Sequence, residues 1–188
     1  MAGMRTIVEE RQKNVAVMDV FSRLIQERII FIDDVIDDDL ANGVIAQLLH
    51  LDSLDKKTPI NIYINTPGGG VYSGLAIYDI AKLISAPIRT VCIGMAASMG
   101  VPLMLMGTER CATKHSRIMI HQPMGGARGP VSDIKIEYEE MEKLKRELYE
   151  IIAEGSGQPY EKVEKDCDRD YWMTAEEALK YGIITKIL

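Results

Sequence analysis

One serine in the sequence lies where a nucleophile could be activated. Ser98 stands in the segment GMAASMG, residues 94–100, after an apolar strand pattern and before a short apolar helix pattern. Small neighbours permit a sharp turn and close approach of a substrate backbone, and free N–H groups at a helix start stabilise negative charge on an oxygen. A serine at such a junction is also a common helix N-cap. This segment alone favours the N-cap, with the nucleophile as the alternative.

His121 and Asp170 are the candidates for a base and an acid. His121 follows the apolar strand pattern of residues 118–120, whereas His50 and His115 fall in surface patterns. Asp170 lies in the charged segment DCDRDYW, residues 166–172. Each residue alone fits a structural or solvated position. Together with Ser98 they are the parts of an acyl-transfer site, because such a triad is defined by roles and not by chain order.

A glycine-rich turn is the next candidate for chemistry. Residues 65–71 read NTPGGGV and separate a strand pattern from a helix pattern. Backbone N–H groups there could bind an oxyanion or a phosphate, and a plain tight turn is the alternative. Neither a P-loop nor a GxGxxG fingerprint is present.

Composition and charge exclude several classes of function. The net charge is −6 without a basic run, which argues against nucleic-acid binding. No apolar stretch approaches the length of a membrane span. Three cysteines without a CxxC pair, and three histidines without zinc spacing, predict no metal site. The odd cysteine count and the absence of a signal-peptide pattern predict a cytoplasmic protein.

The elements that must position these residues alternate along the chain. Helices are predicted after the caps at residues 37–39, after the glycine turn, after Ser98, over residues 132–154 and from the capping box at residues 174–177. Strands are predicted at residues 29–32, 60–65, 90–93, 118–120 and 183–187. This order predicts a single α/β domain with a largely parallel sheet, whose sites gather at the strand ends.

Several segments together resemble one family, the Clp protease proteolytic subunits (the ClpP family of serine peptidases). They are GMAASMG, MIHQPMGG, INTPGGGVYSGLAIYD and DRDYWMTAEEALKYGII, and the resemblance runs from about Val8 to the C-terminus. It implies a crotonase-like ββα spiral with a projecting handle helix. Residues 1–188 would form one peptidase domain, with an N-terminal axial segment at 1–20 and a handle region at about 122–160.

The resemblance also implies the site residues. Ser98 would be the nucleophile, His121 the general base and Asp170 the orienting acid of an ATP-dependent serine endopeptidase. The amides of Gly69 and Met99 would form the oxyanion hole. No metal or cofactor is implied for this subunit, because a partner unfoldase of the Clp-type AAA+ class uses the ATP and feeds unfolded proteins to the chamber.

The implied assembly is two stacked heptameric rings, either homomeric or mixed with a second paralogous subunit. Asp168 and Arg169 would lie in a contact between subunits. The long helix would be the handle that joins the rings, and packing of that helix on its own domain is the alternative. Its narrow apolar seam consists of Met141, Leu144, Leu148 and Ile151.

The sequence departs from the family pattern at a few points. The stretch from Gly107 to His121 is slightly shorter, Pro130 and Lys135 replace expected polar residues in the handle, and Asn61 replaces an aromatic residue of the unfoldase-docking pocket, where Tyr63 remains. Two other functions therefore stay open: a non-catalytic or regulatory ring subunit, and an enzyme of the same fold that processes acyl-CoA.

Overall fold

The structure is a computed structural model that describes residues 6–11 and 14–188. An antiparallel hairpin opens the chain, formed by β1 (Thr6–Arg11) and β2 (Asn14–Asp19). Helix α1 (Val20–Gln26) follows, and its N-cap, Asp19, accepts a hydrogen bond from the Ser22 amide. No regular element was predicted in residues 1–20, because charged residues interrupt the apolar alternation there.

A seven-stranded sheet forms the centre of the molecule. Five parallel strands lie in the spatial order β3, β4, β5, β6, β9: β3 (Ile29–Ile32), β4 (Ile60–Thr66), β5 (Ile88–Ala97), β6 (Glu109–Ala112) and β9 (Lys186–Ile187). β7 (Arg117–Ile120) pairs in parallel with the end of β5, and β8 (Tyr171–Thr174) pairs antiparallel with β7. The predicted α/β plan with a largely parallel sheet is confirmed.

Helices flank this sheet and complete the α/β plan. They are α2 (Asp38–Leu54), α3 (Val71–Leu83), α4 (Gly100–Leu105), α5 (Val131–Ser156), α6 (Tyr160–Asp166) and α7 (Ala175–Tyr181). The predicted caps are present: the Asp37 side chain accepts from the Leu40 amide, and Thr174 with Glu177 forms a capping box. Among the described residues, no helix has both the length and the apolar character needed to cross a membrane.

The core lies between the sheet and the helices. Ile60, Ile62 and Ile64 of β4 are fully buried, and they belong to one cluster with Val44 and Leu48 of α2. Burial of apolar residues on a strand flanked by strands on both sides is typical of parallel sheets covered by helices.

The long helix α5 divides into two halves. Leu148 and Ile152 in its C-terminal half are buried in the chain's own domain. Its N-terminal half leaves Val131, Ile136 and Tyr138 exposed. The prediction that the whole seam meets another subunit is therefore wrong for Leu148, because packing against the domain already covers that side chain.

Besides β1, β2 and α1, three short elements were not predicted from the sequence, and one predicted strand is shorter than expected. β6, α6 and β8 were not predicted, because charged or exposed residues break their apolar patterns. The last strand covers only residues 186–187, because the amides of Ile183 and Ile184 bond to the Ala178 carbonyl at the end of α7.

Candidate active site

Ser98, His121 and Asp170 form an unbroken series of hydrogen bonds. Ser98 Oγ lies 2.8 Å from His121 Nε2, and His121 Nδ1 lies 3.0 Å from Asp170 Oδ1. Both distances are those of good hydrogen bonds. With the proton on Nδ1, the imidazole donates to the carboxylate and leaves Nε2 to accept the serine proton. The His121 side chain is only 9% exposed, whereas that of Asp170 is 60% exposed.

Ser98 occupies a strained turn between β5 and α4. Its φ is +54°, a left-handed conformation that non-glycine residues rarely adopt. The N-cap of α4 is Met99, so the N-cap interpretation of Ser98 is wrong. The Ser98 amide donates to the Met119 carbonyl of β7 over 2.9 Å, which ties the turn to the neighbouring strand. Strained serines of this kind present their Oγ at the edge of a sheet.

The strand β7 brings His121 to the same edge of the sheet. Ala97 pairs with Met119 in parallel register, so the residues that follow both strands emerge side by side. The shortened stretch before His121 forms β6, a tight turn and β7. In that turn the Ser116 amide donates to Thr113 O and the Thr113 amide to Cys92 O. The departure from the family pattern therefore leaves His121 beside Ser98.

Asp170 lies in the loop between α6 and β8, and Gln122 holds this loop. The Gln122 amide donates to Cys167 O over 2.6 Å, and its side-chain Nε2 donates to Asp168 O over 2.9 Å. Sequence reasoning missed Gln122, although its place directly after His121 was the available signal. Asp168 and Arg169 are exposed and point no group into the series. Their role in a subunit contact stays a prediction.

The glycine turn approaches Ser98 so closely that side chains are excluded. A Cβ on Gly68 would lie 2.6 Å from Ser98 Cβ, and a Cβ on Gly69 would lie 2.2 Å from the Ile36 carbonyl oxygen. Both glycines also have positive φ, at +98° and +156°. The turn is therefore more than a flexible connection, since only glycine fits at these positions.

Two backbone amides near Ser98, one in this turn and one at the start of α4, are free to bind a ligand. The Gly68 amide donates to Thr66 Oγ1 and the Gly70 amide to Ile36 O. Within residues 6–11 and 14–188, the amides of Gly69 and Met99 donate to no protein group. Both residues line the cavity that Ser98 and His121 also line. Two unpartnered N–H groups beside a nucleophile are the arrangement of an oxyanion hole.

The rest of that cavity is apolar. Its volume is about 200 Å³. The apolar lining residues are Pro67, Val71, Pro102, Ile120, Pro123, Met124, Leu148 and Ile152. An apolar recess beside a nucleophile accommodates an apolar substrate group.

The remaining candidate nucleophiles and ligands lie elsewhere. His50 and His115 are exposed, as predicted. The three cysteines are free and buried, and burial raises the pKa of the Cys92 thiol to about 11 and that of Cys167 to about 12. Thiols so rarely ionised are poor nucleophiles at neutral pH. In the described part of the chain no cluster of His, Cys, Asp and Glu could hold a metal ion.

A serine, a histidine and a carboxylate in series on an α/β fold define the class of the protein as a serine hydrolase. Similarity to known sequences shows which family of serine hydrolases the chain resembles. The pattern of the Clp protease family matches residues 11–188. A protein of Porphyromonas gingivalis described as "ATP-dependent Clp protease proteolytic subunit" is 57% identical over 185 residues, covering 97% of this chain and 83% of the relative.

Other relatives carry the same description. One from Bacteroides fragilis is 57% identical over 184 residues, covering 97% of this chain and 89% of its own length. An "ATP-dependent Clp protease proteolytic subunit 1" from Salinibacter ruber is 46% identical, covering 97% of this chain and 79% of the relative. The chain therefore belongs to the Clp protease family, and it is a serine-type peptidase. The sequence-based recognition of this family is confirmed.

Proposed function

We propose that this chain hydrolyses peptide bonds through Ser98, with His121 as the general base and Asp170 as the orienting acid. The observation that carries the proposal is the series of hydrogen bonds from Ser98 Oγ through the imidazole to the Asp170 carboxylate, at 2.8 and 3.0 Å.

The reaction follows from this geometry in two halves. His121 Nε2 takes the Ser98 proton while Oγ attacks the substrate carbonyl, and then gives that proton to the leaving amine. An acyl-enzyme remains, and water, deprotonated by His121, releases it. Asp170 holds the imidazole with its proton on Nδ1 and stabilises the imidazolium that forms between these steps.

The backbone amides of Gly69 and Met99 would stabilise the negative charge that develops on the substrate oxygen. Their amides have no protein partner in the described ranges and line the cavity of the nucleophile. Removal of one such donor lowers turnover by about 10²–10³ in another serine protease. The apolar recess beside them would receive an apolar side chain of the peptide.

The wider setting of the reaction follows from the family. As a Clp protease subunit, the chain works with a Clp ATPase, and its relatives are described as ATP-dependent. We infer that the ATPase is an AAA+ unfoldase that binds the nucleotide itself, so that this subunit needs neither metal nor cofactor. Stacked heptameric rings, homomeric or mixed with a second paralogue, would enclose the sites in a cytoplasmic chamber and admit only unfolded proteins.

Two alternative functions are less well supported. An enzyme that processes acyl-CoA would use the glycine amides for a thioester oxygen, but it would not need a serine hydrogen-bonded to a histidine. A non-catalytic ring subunit would have no need for Ser98 in a strained conformation, since such strain is kept where it serves a site.

The test is labelling with a fluorophosphonate probe beside hydrolysis of a fluorogenic peptide. We expect the purified chain to be labelled at Ser98 and to cleave the peptide, and Ser98→Ala to lose both. Ser73→Ala is the matched control, because Ser73 is buried near the glycine turn but bonds to Asp38 and not to a histidine. Labelling that persists in Ser98→Ala, or an inert wild-type chain, would overturn the assignment.

A further inference from the structure

Thr66 is a buried polar residue that the catalytic series does not use. It ends β4, directly before the glycine turn, and it is 0% exposed. Buried hydroxyl groups require hydrogen-bond partners, so the partners of this one indicate what it holds in place.

The Thr66 hydroxyl joins two segments that are far apart in sequence. Oγ1 donates to the Asp34 carbonyl over 2.6 Å and accepts from the Gly68 amide over 3.1 Å. The hydroxyl proton and one lone pair are thereby engaged. The Gly68 peptide is thus tied, through one side chain, to the segment that follows β3.

These hydrogen bonds of Thr66 restrain a turn that would otherwise be flexible. Glycines at positive φ have many accessible conformations, so Gly68 and Gly69 need outside restraints. The Ile36 backbone supplies further restraints: its amide donates to Gly68 O, and its carbonyl accepts from the Gly70 amide. The amides on either side are thereby held, whereas the Gly69 amide between them has no partner among the described residues and belongs to a residue that lines the cavity.

The Thr66 methyl group reaches the other side of the proposed oxyanion hole. Its Cγ2 lies 2.8 Å from where a Cβ on Gly100 would stand, so methyl and glycine are in close contact. Gly100 directly follows Met99, whose amide is the second proposed donor. One side chain therefore contacts the backbone next to both donors.

We propose that Thr66 is a positioning residue of the oxyanion hole: its hydroxyl holds the Gly68 amide and so, together with the Ile36 backbone, restrains the turn that carries the Gly69 amide. The inference rests on the proposed function of Ser98, Gly69 and Met99. Without the hydroxyl, the buried Gly68 amide lacks an acceptor and the turn rotates to find one, which moves the Gly69 amide out of line. Substrate binding in the apolar recess does not depend on that amide, so the transition state is weakened and the ground state is not.

The test compares Thr66→Val, which keeps the shape and loses the hydroxyl, with Thr66→Ser, which keeps the hydroxyl. We expect Thr66→Val to lower kcat by about 10²-fold, the order of a lost oxyanion donor, with KM nearly unchanged. A peptide aldehyde, which forms a tetrahedral adduct on the serine, should bind that variant more weakly by a similar factor. Affinity for the cleaved product peptide should stay the same, and Thr66→Ser should resemble the wild type.

Thr90→Val is the matched control. Thr90 is also a fully buried threonine, its hydroxyl donates to Met104 O over 2.9 Å, and it lies at the other end of β5 from Ser98. We expect this control to lower the thermal unfolding midpoint and to leave kcat and aldehyde affinity unchanged. If Thr66→Val does not fold, Thr66→Cys replaces it: a thiol bonds weakly, so kcat should fall well below that of Thr66→Ser.

Several results would overturn the proposal. They are a wild-type kcat in Thr66→Val, equal weakening of aldehyde and product peptide, or equal activity of Thr66→Cys and Thr66→Ser. Failure of the proposed function is distinct, because it would appear as a wild-type chain without hydrolysis or without reaction at Ser98.

Discussion

At the residue scale, Gly69 shows how backbone geometry constrains the site. A Cβ there would meet the Ile36 carbonyl oxygen at 2.2 Å, and the φ of +156° is itself unfavourable for other residues. We expect Gly69→Ala to lose kcat by at least about 10²-fold, because the turn must move and its amide with it. The measurement is peptide hydrolysis beside urea unfolding.

Gly43→Ala serves as the control for this change. Gly43 lies in α2 with nothing near its missing side chain, so alanine there should stabilise the protein by about 1 kcal/mol and leave turnover unchanged. Full activity of Gly69→Ala would contradict the role of this turn.

Two neighbouring aspartates are expected to act differently. Asp170 bonds to His121, whereas Asp168 is exposed and contacts Gln122 only through its backbone carbonyl. We expect Asp170→Asn to lower turnover by about 10⁴-fold, as in another triad, because the amide stabilises the wrong tautomer. Asp168→Ala should change the sedimentation profile and not the turnover of assembled protein. Equal turnover losses in two intact assemblies would refute this division of roles.

The sequence indicated the proposed reacting residues more clearly than the residues that hold them. Ser98, His121 and Asp170 have side chains whose chemistry suggests a role before any contact is known. The polar groups of Thr66 and Gln122 hydrogen-bond to backbone groups, and the Gln122 side chain reaches a residue 46 positions away. Threonine and glutamine are ordinary residues at strand ends, so the one local sign of such a role was the place of Gln122 directly after His121.

At the scale of elements, helices with local signals were predicted, whereas a strand that depends on distant pairing was not. The caps at Asp37 and Thr174 and the apolar periods predicted α2 and α7, because those signals are local. β8 was missed because Tyr171 and Trp172 stay exposed and no apolar alternation marks the strand. Its existence depends on pairing with β7, which lies some 50 residues earlier in the chain.

One departure from the family pattern, Asn61 in β4, is expected to weaken the binding of a partner ATPase. Asn61 and Tyr63 lie on the same face of this strand, and the Tyr63 ring stacks on Phe31 at 5.5 Å. Asn61 supplies no ring to this group. A lost aromatic anchor can weaken an interface by about 2 kcal/mol, or roughly thirtyfold per site. We predict that a homomeric assembly binds a Clp ATPase weakly and that Asn61→Tyr restores docking.

The measurement is degradation of a folded, tagged protein while the ATPase is titrated in the presence of ATP. Asn61→Gln, which adds length without a ring, is the control and should stay weak. Tight ATP-dependent degradation by the unaltered homomer would show that Asn61 does not weaken the pocket.

At the scale of the whole molecule, exposed apolar residues predict assembly. The N-terminal half of α5 leaves Val131 and Ile136 uncovered, at 85% and 64% exposure. We expect the chain to sediment as heptamers or tetradecamers, and Ile136→Glu to leave single rings, because a charge would be buried between rings. Glu161→Gln, an exposed change on α6, should sediment like the wild type. A stable monomer at micromolar concentration would rule out this assembly.

Buried ionisable groups predict how stability depends on pH. Burial raises the pKa of Cys92 to about 11 and of Cys167 to about 12, and it also raises the pKa of Tyr149 and Tyr181. In the unfolded chain thiols ionise near pH 8.5 and phenols near 10. The folded state holds these protons longer, so its stability is intact below about pH 8.5 and declines as the pH rises toward 11.

Thermal unfolding midpoints between pH 8 and 10.5 measure this decline. Cys92→Ala should be less stable at pH 8 but should lose less stability on going to alkaline pH, because it has one buried thiol fewer to ionise. A midpoint that is constant over this range would contradict the burial of these groups.

The antiparallel strand β8 has a consequence for the synthesis of the protein. The carboxylate that completes the series stands directly before β8, 49 residues after its histidine. A chain growing on the ribosome thus carries its serine and histidine before the aspartate that would orient them, and until β8 emerges β7 can pair with β5 but not with β8. A nascent chain that ends after β7 therefore holds its proposed nucleophile and base without the carboxylate that would orient them.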